Sequence, residues 1–195
     1  MVKRVILVTG TPCVGKTAVS RLLASKLGAL YVNLTELAVR ENLVSGKDEE
    51  RDSIIVDESR MRLKIREIID YSEQNGIVID GHYAVSVVPK KLVTYVFVLR
   101  RDPVELRKFM EQRGFSGRKL WENLASEILD VCLVDALNVH EEGKVCELDA
   151  TGKSMEEIVT EVLSVLDGSK ECHAGVVDWL GKLESDGLLE EFLKI

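Results

Sequence analysis

Short apolar runs along the chain alternate with stretches in which apolar residues recur every three or four positions. The runs at residues 5–8, 77–80 and 95–99 are apolar at almost every position, as expected of strands that are buried on both faces. Two shorter runs, at 30–32 and 144–148, bring the number of predicted strands to five. Strands that alternate with amphipathic helices predict an α/β fold with a five-stranded parallel sheet flanked by helices.

Helix-boundary signals lie between the predicted strands. Apolar residues at helical spacing over 19–27 are followed by Gly28, which suits the left-handed conformation that ends many helices. A second amphipathic pattern, over 61–69, predicts a helix before the third strand. Asp102 with Pro103 offers an N-cap followed by proline at the first helical position.

The last part of the chain is predicted to be mostly helical. One continuous helix is expected from 117 to about 139, and Ser154 with Glu157 forms a capping box for another. We interpret residues 1–166 as one domain and residues 167–195 as a C-terminal helical extension of two short helices. The extension would dock on the domain, dimerise or bind a partner.

Charge and composition narrow the class of protein. The 195 residues include 26 Lys and Arg against 33 Asp and Glu, a formal net charge of −7 that is unsuited to strong nucleic-acid binding through bulk charge. The apolar fraction of 46% and the charged fraction of 30% are those of a soluble globular protein, and no run of about 18 apolar residues predicts a membrane span. The first residues lack a signal-peptide pattern, so we expect a cytoplasmic location and no membrane partner.

The four cysteines are widely spaced and contain no C-x-x-C pair. Neither a secreted disulfide framework nor a zinc site is therefore predicted. We interpret Cys132 and Cys146 as small buried apolar residues and regard Cys172 as merely adjacent to His173.

The strongest chemical signal is the segment 10–17, which matches the phosphate-binding pattern G-x-x-x-x-G-K-[ST] in full. A predicted strand precedes it and a helix follows, so backbone N–H groups and a helix N-terminus can face one bound anion. Lys16 would reach the β- and γ-phosphates of a nucleotide, and the Thr17 hydroxyl would bind Mg²⁺. A simple strand-to-helix turn is the weaker alternative.

The second signal is the carboxylate at the end of the 77–80 strand. Asp80 stands where a nucleotide-binding sheet presents the carboxylate that organises the metal, although an Asp after a strand is also a common turn residue. His82 would contact the γ-phosphate or act as a general base toward water, or it would cap the following loop.

A short basic segment with two glycines, at 113–119, joins two predicted helices. Glycines allow such a segment to move, and its cations would cover the phosphates and exclude water. We predict a lid over 113–123 in which Arg113 meets the charge of the transferred phosphoryl group. A solvated basic turn is the alternative.

Residues 33–58 are longer than a connection within a βα unit needs to be. An insertion at this point is where small kinases place the subdomain that binds the acceptor. Arg40 and Arg51 are candidates for binding the phosphate of a nucleoside monophosphate. A solvated charged helix and loop is the alternative.

With these residues placed, the chain resembles the adenylate kinase isoenzyme six family, small atypical adenylate kinases also described as coilin-interacting nuclear ATPases. The resemblance covers roughly residues 5–166 and rests on the phosphate loop, the Asp-x-His motif at 80–82 and the Arg-Gly-aromatic segment at 113–115. It implies a P-loop nucleoside monophosphate kinase fold and an enzyme that transfers the γ-phosphoryl group of Mg-ATP to AMP. It also implies slower ATP hydrolysis and a part in small ribosomal subunit maturation, through a ribosomal protein partner of the S-eleven type.

The resemblance also implies roles for individual residues. Asp80 and His82 would serve the metal and hydrolysis, and Lys16 and Arg113 would complete the catalytic set. Thr17 and Asp80 would hold Mg²⁺. The residues that would bind ATP are Gly10, Cys13, Val14, Gly15, Lys16, Thr17, Ala18, Arg113 and Lys153.

Three features depart from the family. Cys13 replaces a loop glycine, which would make the site sensitive to thiol reagents. Arg40 lies one position from the family's arginine, and the segment after Asp167 has no counterpart recognised in that family. A kinase for another small metabolite and an ATPase-driven assembly factor stay open as alternatives, whereas a GTPase is not favoured because the chain lacks an Asn-Lys-x-Asp motif.

Overall fold

The computed structural model describes residues 3–48 and 53–193. The strands are β1 (Arg4–Thr9), β2 (Leu30–Asn33), β3 (Val44–Asp48), β4 (Ser53–Val56), β5 (Gly76–Asp80), β6 (Val93–Arg100) and β7 (Val145–Asp149). The α-helices are α1 (Lys16–Leu27), α2 (Leu34–Arg40), α3 (Glu58–Tyr71), α4 (Ala84–Val87), α5 (Pro103–Gln112), α6 (Gly117–Ile128), α7 (Val131–Val139), α8 (Met155–Leu166), α9 (Trp179–Ser185) and α10 (Leu189–Phe192).

Five of these strands form one parallel sheet in the order β2-β5-β1-β6-β7, which confirms the predicted sheet. β1 lies at the centre, with β5 on one side and β6 on the other. Because the strands are parallel, their carboxyl ends meet at one edge, where Val8 is opposite Asp80. The register therefore places the loop after β1 next to the end of β5.

Apolar layers hold helices on both faces of the sheet. Ile6 and Val8 of β1 belong to the layer that includes α1, α5, α6 and α8. Val5 and Leu7 belong to the layer that includes α2, α3, α4 and α7. Alternate residues of a strand point to opposite faces, so one short apolar run serves both layers. Among the described residues, no helix has the length and apolar character needed to cross a membrane.

The predicted helix boundaries are confirmed where a capping residue marks them. Gly28 caps α1 in the left-handed region at φ 57°. The Asp102 carboxylate caps α5 by accepting from backbone N–H groups of the first turn, with Pro103 at its start. Ser154 and Glu157 form the capping box of α8. These ends are set by local chemistry that the sequence displays.

The predicted continuous helix from 117 to about 139 is wrong, because the structure has two helices with a break at residues 129–130. Asp130 takes φ 58°, a left-handed conformation that Asp adopts more readily than most residues. Its carboxylate accepts from the buried Arg100 guanidinium at 2.5 Å. A long-range ion pair thus fixes a break that helical periodicity does not reveal.

The described part of residues 33–58 contains helix α2 and the paired strands β3 and β4. Asn33 caps α2, and β3 pairs with β4 in an antiparallel ribbon. The sequence does not indicate this strand pair, because β3 contains Gly46 and lacks a clear alternation of apolar and polar residues. Arg51, one of the two predicted phosphate ligands, lies outside the described residues.

Cys146 is buried in the apolar core as interpreted, but the expectation that the cysteines form no disulfide is wrong. Its sulfur is bonded to that of Cys172, 26 residues later, with the two Cα atoms 4.9 Å apart. The C-terminal segment returns to β7 at this point, where the Glu147 N–H donates to the His173 carbonyl at 2.8 Å. Cysteine spacing alone could not show this return. The other two cysteines are free.

The C-terminal extension docks on the domain, as one of its three predicted roles requires. Its helices α9 and α10 pack against α6, and Trp179, Leu183 and Phe192 are buried. Arg107 of α5 pairs with Glu191 of α10 at 2.6 Å. The extension is therefore part of the packed structure of this chain.

His140 is a buried histidine whose two ring nitrogens have no hydrogen-bond partner within the described chain. Burial, followed by the charges of Lys90 and Lys144, lowers its pKa below the usual 6.5. As the pH falls below about 6.5, the unfolded chain binds more protons than the folded chain, so acidification lowers the stability. We expect His140→Leu to raise the free energy of unfolding at pH 7 by about 1 kcal/mol, since it removes unsatisfied polar atoms.

Urea unfolding near pH 7 and pH 5 checks this prediction. The variant should lose less stability between the two pH values than the native chain loses. Equal losses in the two proteins would contradict the role given to His140.

Candidate active site

The segment after β1 forms a tight loop in front of α1. Gly10 has φ 134°, and any side chain there would clash with the Leu99 carbonyl oxygen, so only glycine fits. Gly15, at the start of α1, has φ 111°. Cys13 takes φ 70°, a left-handed conformation that non-glycine residues seldom adopt. The loop therefore keeps this left-handed shape even where cysteine stands in place of glycine.

Lys16 and Thr17 lie in the first turn of α1, at the open end of the loop. The Lys16 ammonium donates to the Thr11 carbonyl across the loop at 2.9 Å. Burial lowers the pKa of Lys16 from its usual 10.5, and the Asp80 carboxylate partly offsets this. Phosphate groups would offset it further, because negative charge favours the ammonium form. The loop is thus electrostatically suited to an anion.

Asp80 is a buried carboxylate, 1% exposed, at the end of β5. Its Oδ2 accepts from Thr17 Oγ1 at 2.8 Å, from Asn33 Nδ2 at 2.8 Å and from the Tyr31 hydroxyl at 3.1 Å. These donors converge on one oxygen and leave Oδ1 for a further contact. The sequence does not single out Tyr31 or Asn33. The signal for Asn33 was its position at the end of a predicted strand, since it lies opposite Asp80 in the register of β2 and β5.

His82 lies at the mouth of the cavity above Asp80, and its side chain is solvent exposed. Partial desolvation, followed by the charge of Lys16, lowers the pKa of His82 from 6.5 to about 4. The imidazole is therefore neutral at physiological pH. A neutral imidazole beside the phosphate loop can donate a hydrogen bond to a phosphate oxygen or to water.

A cavity of about 950 Å³ opens above the loop and Asp80. One wall comes from the predicted acceptor insertion, and the other comes from the predicted lid segment. The insertion contributes Thr35, Val39, Ile54, Ile55, Val56 and Glu58. The lid side contributes Phe115, Lys119, Glu122, Asn123 and Ser126. Two segments that are far apart in sequence therefore face each other across the phosphate loop.

Tyr83 is a further cavity residue that the sequence does not single out. Its hydroxyl is buried and has no hydrogen-bond partner within residues 3–48 and 53–193. Burial raises the pKa of Tyr83 to about 12. Tyr83 therefore lines the cavity while its hydroxyl lies buried against the apolar layer that includes α4.

Three predicted cations lie outside the lining of this cavity in the described structure. Arg113 is exposed at the end of α5. Lys153 pairs with Glu161 of α8 at 2.6 Å, beside a smaller cavity next to β7. Arg40 is exposed and pairs with Glu41 at 3.2 Å. The predicted phosphate-loop residues and Asp80 therefore line one cavity, whereas the side chains of these three cations do not line it.

Arg101 is a buried cation directly behind the phosphate loop. Its Nε and Nη2 both donate to the Val14 carbonyl at 3.3 Å. It also pairs with Glu105, and its guanidinium lies 5.1 Å from the centre of the Phe109 ring. The sequence carried one signal for it, since a buried strand rarely ends in two consecutive arginines.

The oxygens of Thr17 and Asp80 fit a magnesium ion. Mg²⁺ prefers oxygen ligands and keeps several waters or phosphate oxygens in its octahedral shell, so one or two protein groups suffice. In phosphate-loop enzymes the hydroxyl and the strand-end carboxylate play this part. Within the described ranges, no group of three or more His, Cys, Asp or Glu side chains is arranged to hold a metal.

Comparison with known proteins gives the chain its family. A model described as an AAA domain matches residues 6–130. A Methanocaldococcus jannaschii protein named "Putative adenylate kinase" is 37% identical over 177 residues, which cover 91% of this chain and 93% of the relative. Proteins of the same name from Pyrococcus furiosus and Thermococcus onnurineus are 36% and 39% identical, each over 90% of this chain and 91% of the relative. The chain belongs to this family of small adenylate-kinase-like proteins.

Solved structures place this adenylate-kinase-like chain among the small kinases by fold. A shikimate kinase from Acinetobacter baumannii superposes with a TM-score of 0.61 at 14% identity, over 86% of this chain and 95% of that one. A shikimate kinase from Bacteroides thetaiotaomicron gives 0.58 at 15% identity, over 84% and 98%. The five-stranded parallel sheet with its phosphate loop is thus a P-loop kinase fold.

The family match also revises the interpretation of the C-terminal extension. Residues 1–167 are about 86% of the 195 residues (167/195), whereas the match to the first relative covers 91%. The match must therefore reach into the extension. At least the first part of the extension therefore has a counterpart in this adenylate-kinase-like family, contrary to the expectation from the sequence.

Proposed function

We propose that the protein is an adenylate kinase that transfers the γ-phosphoryl group of Mg-ATP to AMP and yields two molecules of ADP. The observation that carries the proposal is the position of the phosphate loop and Asp80 in one cavity between the acceptor insertion and the lid segment. The name shared by the archaeal relatives supports the same reaction. The family supports the assignment to the nucleotide kinases, and the choice of AMP as the acceptor is what we propose in addition.

The donor half of the site uses position and charge. Phosphoryl transfer needs in-line reactants and neutralisation of phosphate charge, with no covalent intermediate on the protein. Loop N–H groups and Lys16 would hold the ATP phosphates, and Thr17 and Asp80 would hold Mg²⁺, whose positive charge would offset that of the phosphates. Lys119 brings a cation from the lid side, where it lies over the Phe115 ring at 5.3 Å. Arg113 contributes only if the lid segment closes.

The acceptor half has an apolar wall. Val39 is 64% exposed and Ile55 is 48% exposed, although both are large apolar residues. Together with Ile54 they line the cavity on the insertion side. Apolar surface of this kind suits the face of a nucleotide base, which loses contact with water on binding. Arg40 and Arg51 as ligands of the AMP phosphate stay predictions.

We further propose that ATP hydrolysis is a slower side reaction in which water takes the place of the acceptor. His82 is neutral and lies at the cavity, so it would orient water by a hydrogen bond. We expect His82→Gly to lower phosphate release from ATP by about 10-fold while ADP formation from ATP and AMP stays within about 3-fold, a smaller effect than loss of a true general base.

Parallel assays of phosphate release and ADP formation check the roles given to His82. A His140→Leu variant serves as a control, because it removes a histidine remote from the cavity. Equal rates in native and His82→Gly protein for both reactions would remove His82 from the mechanism.

A panel of acceptors tests the proposed reaction. AMP, GMP, CMP, UMP and a set of small hydroxylated metabolites are each incubated with Mg-ATP, and phosphorylated product and free phosphate are both measured. AMP should give the highest product yield. Product from a metabolite alone would favour the alternative of a different small-molecule kinase, and phosphate release without product from any acceptor would favour an ATPase.

We also propose a part in small ribosomal subunit maturation, which rests on the family resemblance and on the charge of the chain. An acidic chain of net charge −7 is complementary to a basic ribosomal protein rather than to RNA. The S-eleven type partner, the ATPase-driven assembly role and the cytoplasmic location stay predictions.

A further inference from the structure

The Glu127 carboxylate is a buried junction between α6, the end of β6 and the C-terminal extension. Its Oε1 accepts from Trp179 Nε1 at 3.1 Å, from the Arg101 backbone N–H at 3.0 Å and from Arg100 Nε at 2.9 Å. Glu127 is 1% exposed and Trp179 is 6% exposed. Three segments of the chain therefore share one carboxylate oxygen in a dry environment, where such hydrogen bonds are strong.

Arg101 connects the Glu127 carboxylate to the phosphate loop through its own hydrogen bonds. Its backbone is held by Glu127, and its guanidinium donates twice to the Val14 carbonyl. The Val14 carbonyl and the Gly15 N–H belong to one peptide unit, which is trans, since the described chain has no cis peptide bond. The two groups of a trans peptide point in opposite directions. By holding the carbonyl from behind, Arg101 fixes the direction of the Gly15 N–H at the front of the loop.

We propose that Arg101 and Glu127 are positioning residues for ATP, and that Trp179 of the C-terminal extension keeps Glu127 in place. The extension thereby contributes to nucleotide affinity without touching the nucleotide. The inference rests on the proposed function only in taking ATP as the ligand of the loop, and it is independent of the acceptor.

A second set of contacts separates this connection from simple docking of the extension. Arg107 of α5 pairs with Glu191 at 2.6 Å and lies 5.4 Å from the Phe192 ring. These contacts also hold the extension on the domain, but they do not include the Glu127 oxygen or the Val14 carbonyl. Loss of the Glu191 charge therefore weakens docking and leaves the Arg101 route intact.

The test measures the dissociation constant of Mg-ATP by calorimetry, without AMP, in the full-length chain. Trp179→Phe keeps an aromatic ring and removes the indole N–H, and we expect it to weaken ATP binding by about 5-fold, as loss of one buried hydrogen bond does. Arg101→Lys keeps the charge but loses the two-pronged contact with Val14, and we expect a loss of about 10-fold. In the double variant the affinity for Mg-ATP should fall by about 10-fold and no further, because both changes act through the same chain of contacts.

Glu191→Gln is the matched control and should stay within about 2-fold of native. If Trp179→Phe does not fold, Glu127→Gln with an intact extension replaces it, both as a single variant and in combination with Arg101→Lys. Unchanged affinity in Trp179→Phe, effects that multiply in the double variant, or an equal loss in Glu191→Gln would each overturn the proposal. A native chain that binds no ATP would instead refute the proposed function, so the two failures are distinguishable.

Discussion

Replacement of Lys16 by methionine removes nearly all kinase turnover. We expect ADP formation from Mg-ATP and AMP to fall on the order of 100- to 1,000-fold, as it does when an enzyme loses one preorganised charge at its transition state. The reason is the position of the ammonium, which lies in the phosphate loop beside the Asp80 carboxylate. Methionine preserves the length of the side chain and deletes the charge. Initial rates of ADP formation at saturating substrate measure the effect.

Lys26→Met is the control for this prediction, because Lys26 lies in the last turn of the same helix and is exposed. It should retain the native rate. Lys16→Ala should behave like Lys16→Met, and circular dichroism should show both variants folded. Near-normal ADP formation by a folded Lys16 variant would refute the assignment of the site.

Replacement of Asp80 by asparagine is expected to lower the rate about 10- to 100-fold, the usual effect of losing a group that supports a metal. Asparagine offers an oxygen to the Thr17 and Asn33 donors that now reach Oδ2, so the local hydrogen bonds have a replacement acceptor. The negative charge is lost, which weakens the attraction for Mg²⁺. The Mg²⁺ concentration needed for half-maximal rate should therefore rise.

Asp70→Asn is the matched control, since Asp70 is exposed and pairs only loosely with Arg66 at 3.7 Å. It should leave both the rate and the Mg²⁺ requirement unchanged. An Asp80→Asn variant with native rate and native Mg²⁺ dependence would remove Asp80 from the metal site.

Features that depend on neighbouring residues were predictable from the sequence. The five strands appear as local apolar runs, and Asp102 and Ser154 mark helix starts through their own side chains. The phosphate loop is recognisable because its conformation requires glycines at fixed spacing, and Asp80 because it ends a buried strand. Such signals lie within a few residues of the structure that they specify.

Features that depend on contacts between distant segments were not predictable. The pairing of Cys146 with Cys172 follows from the return of the extension to β7. The break at Asp130 follows from the buried Arg100. Arg101 donates to the carbonyl of Val14 in the phosphate loop, although the two residues are 87 positions apart in the sequence. A single sequence shows each of these residues but does not show its partner.

The ratio of products made from Mg-ATP and AMP tests the central claim most directly. With native protein and both substrates present, ADP and free phosphate are measured together over the same time course. An adenylate kinase yields two ADP for each ATP consumed and almost no free phosphate, and ADP formation depends on AMP. One ADP and one phosphate for each ATP, at a rate that AMP does not change, would contradict the account.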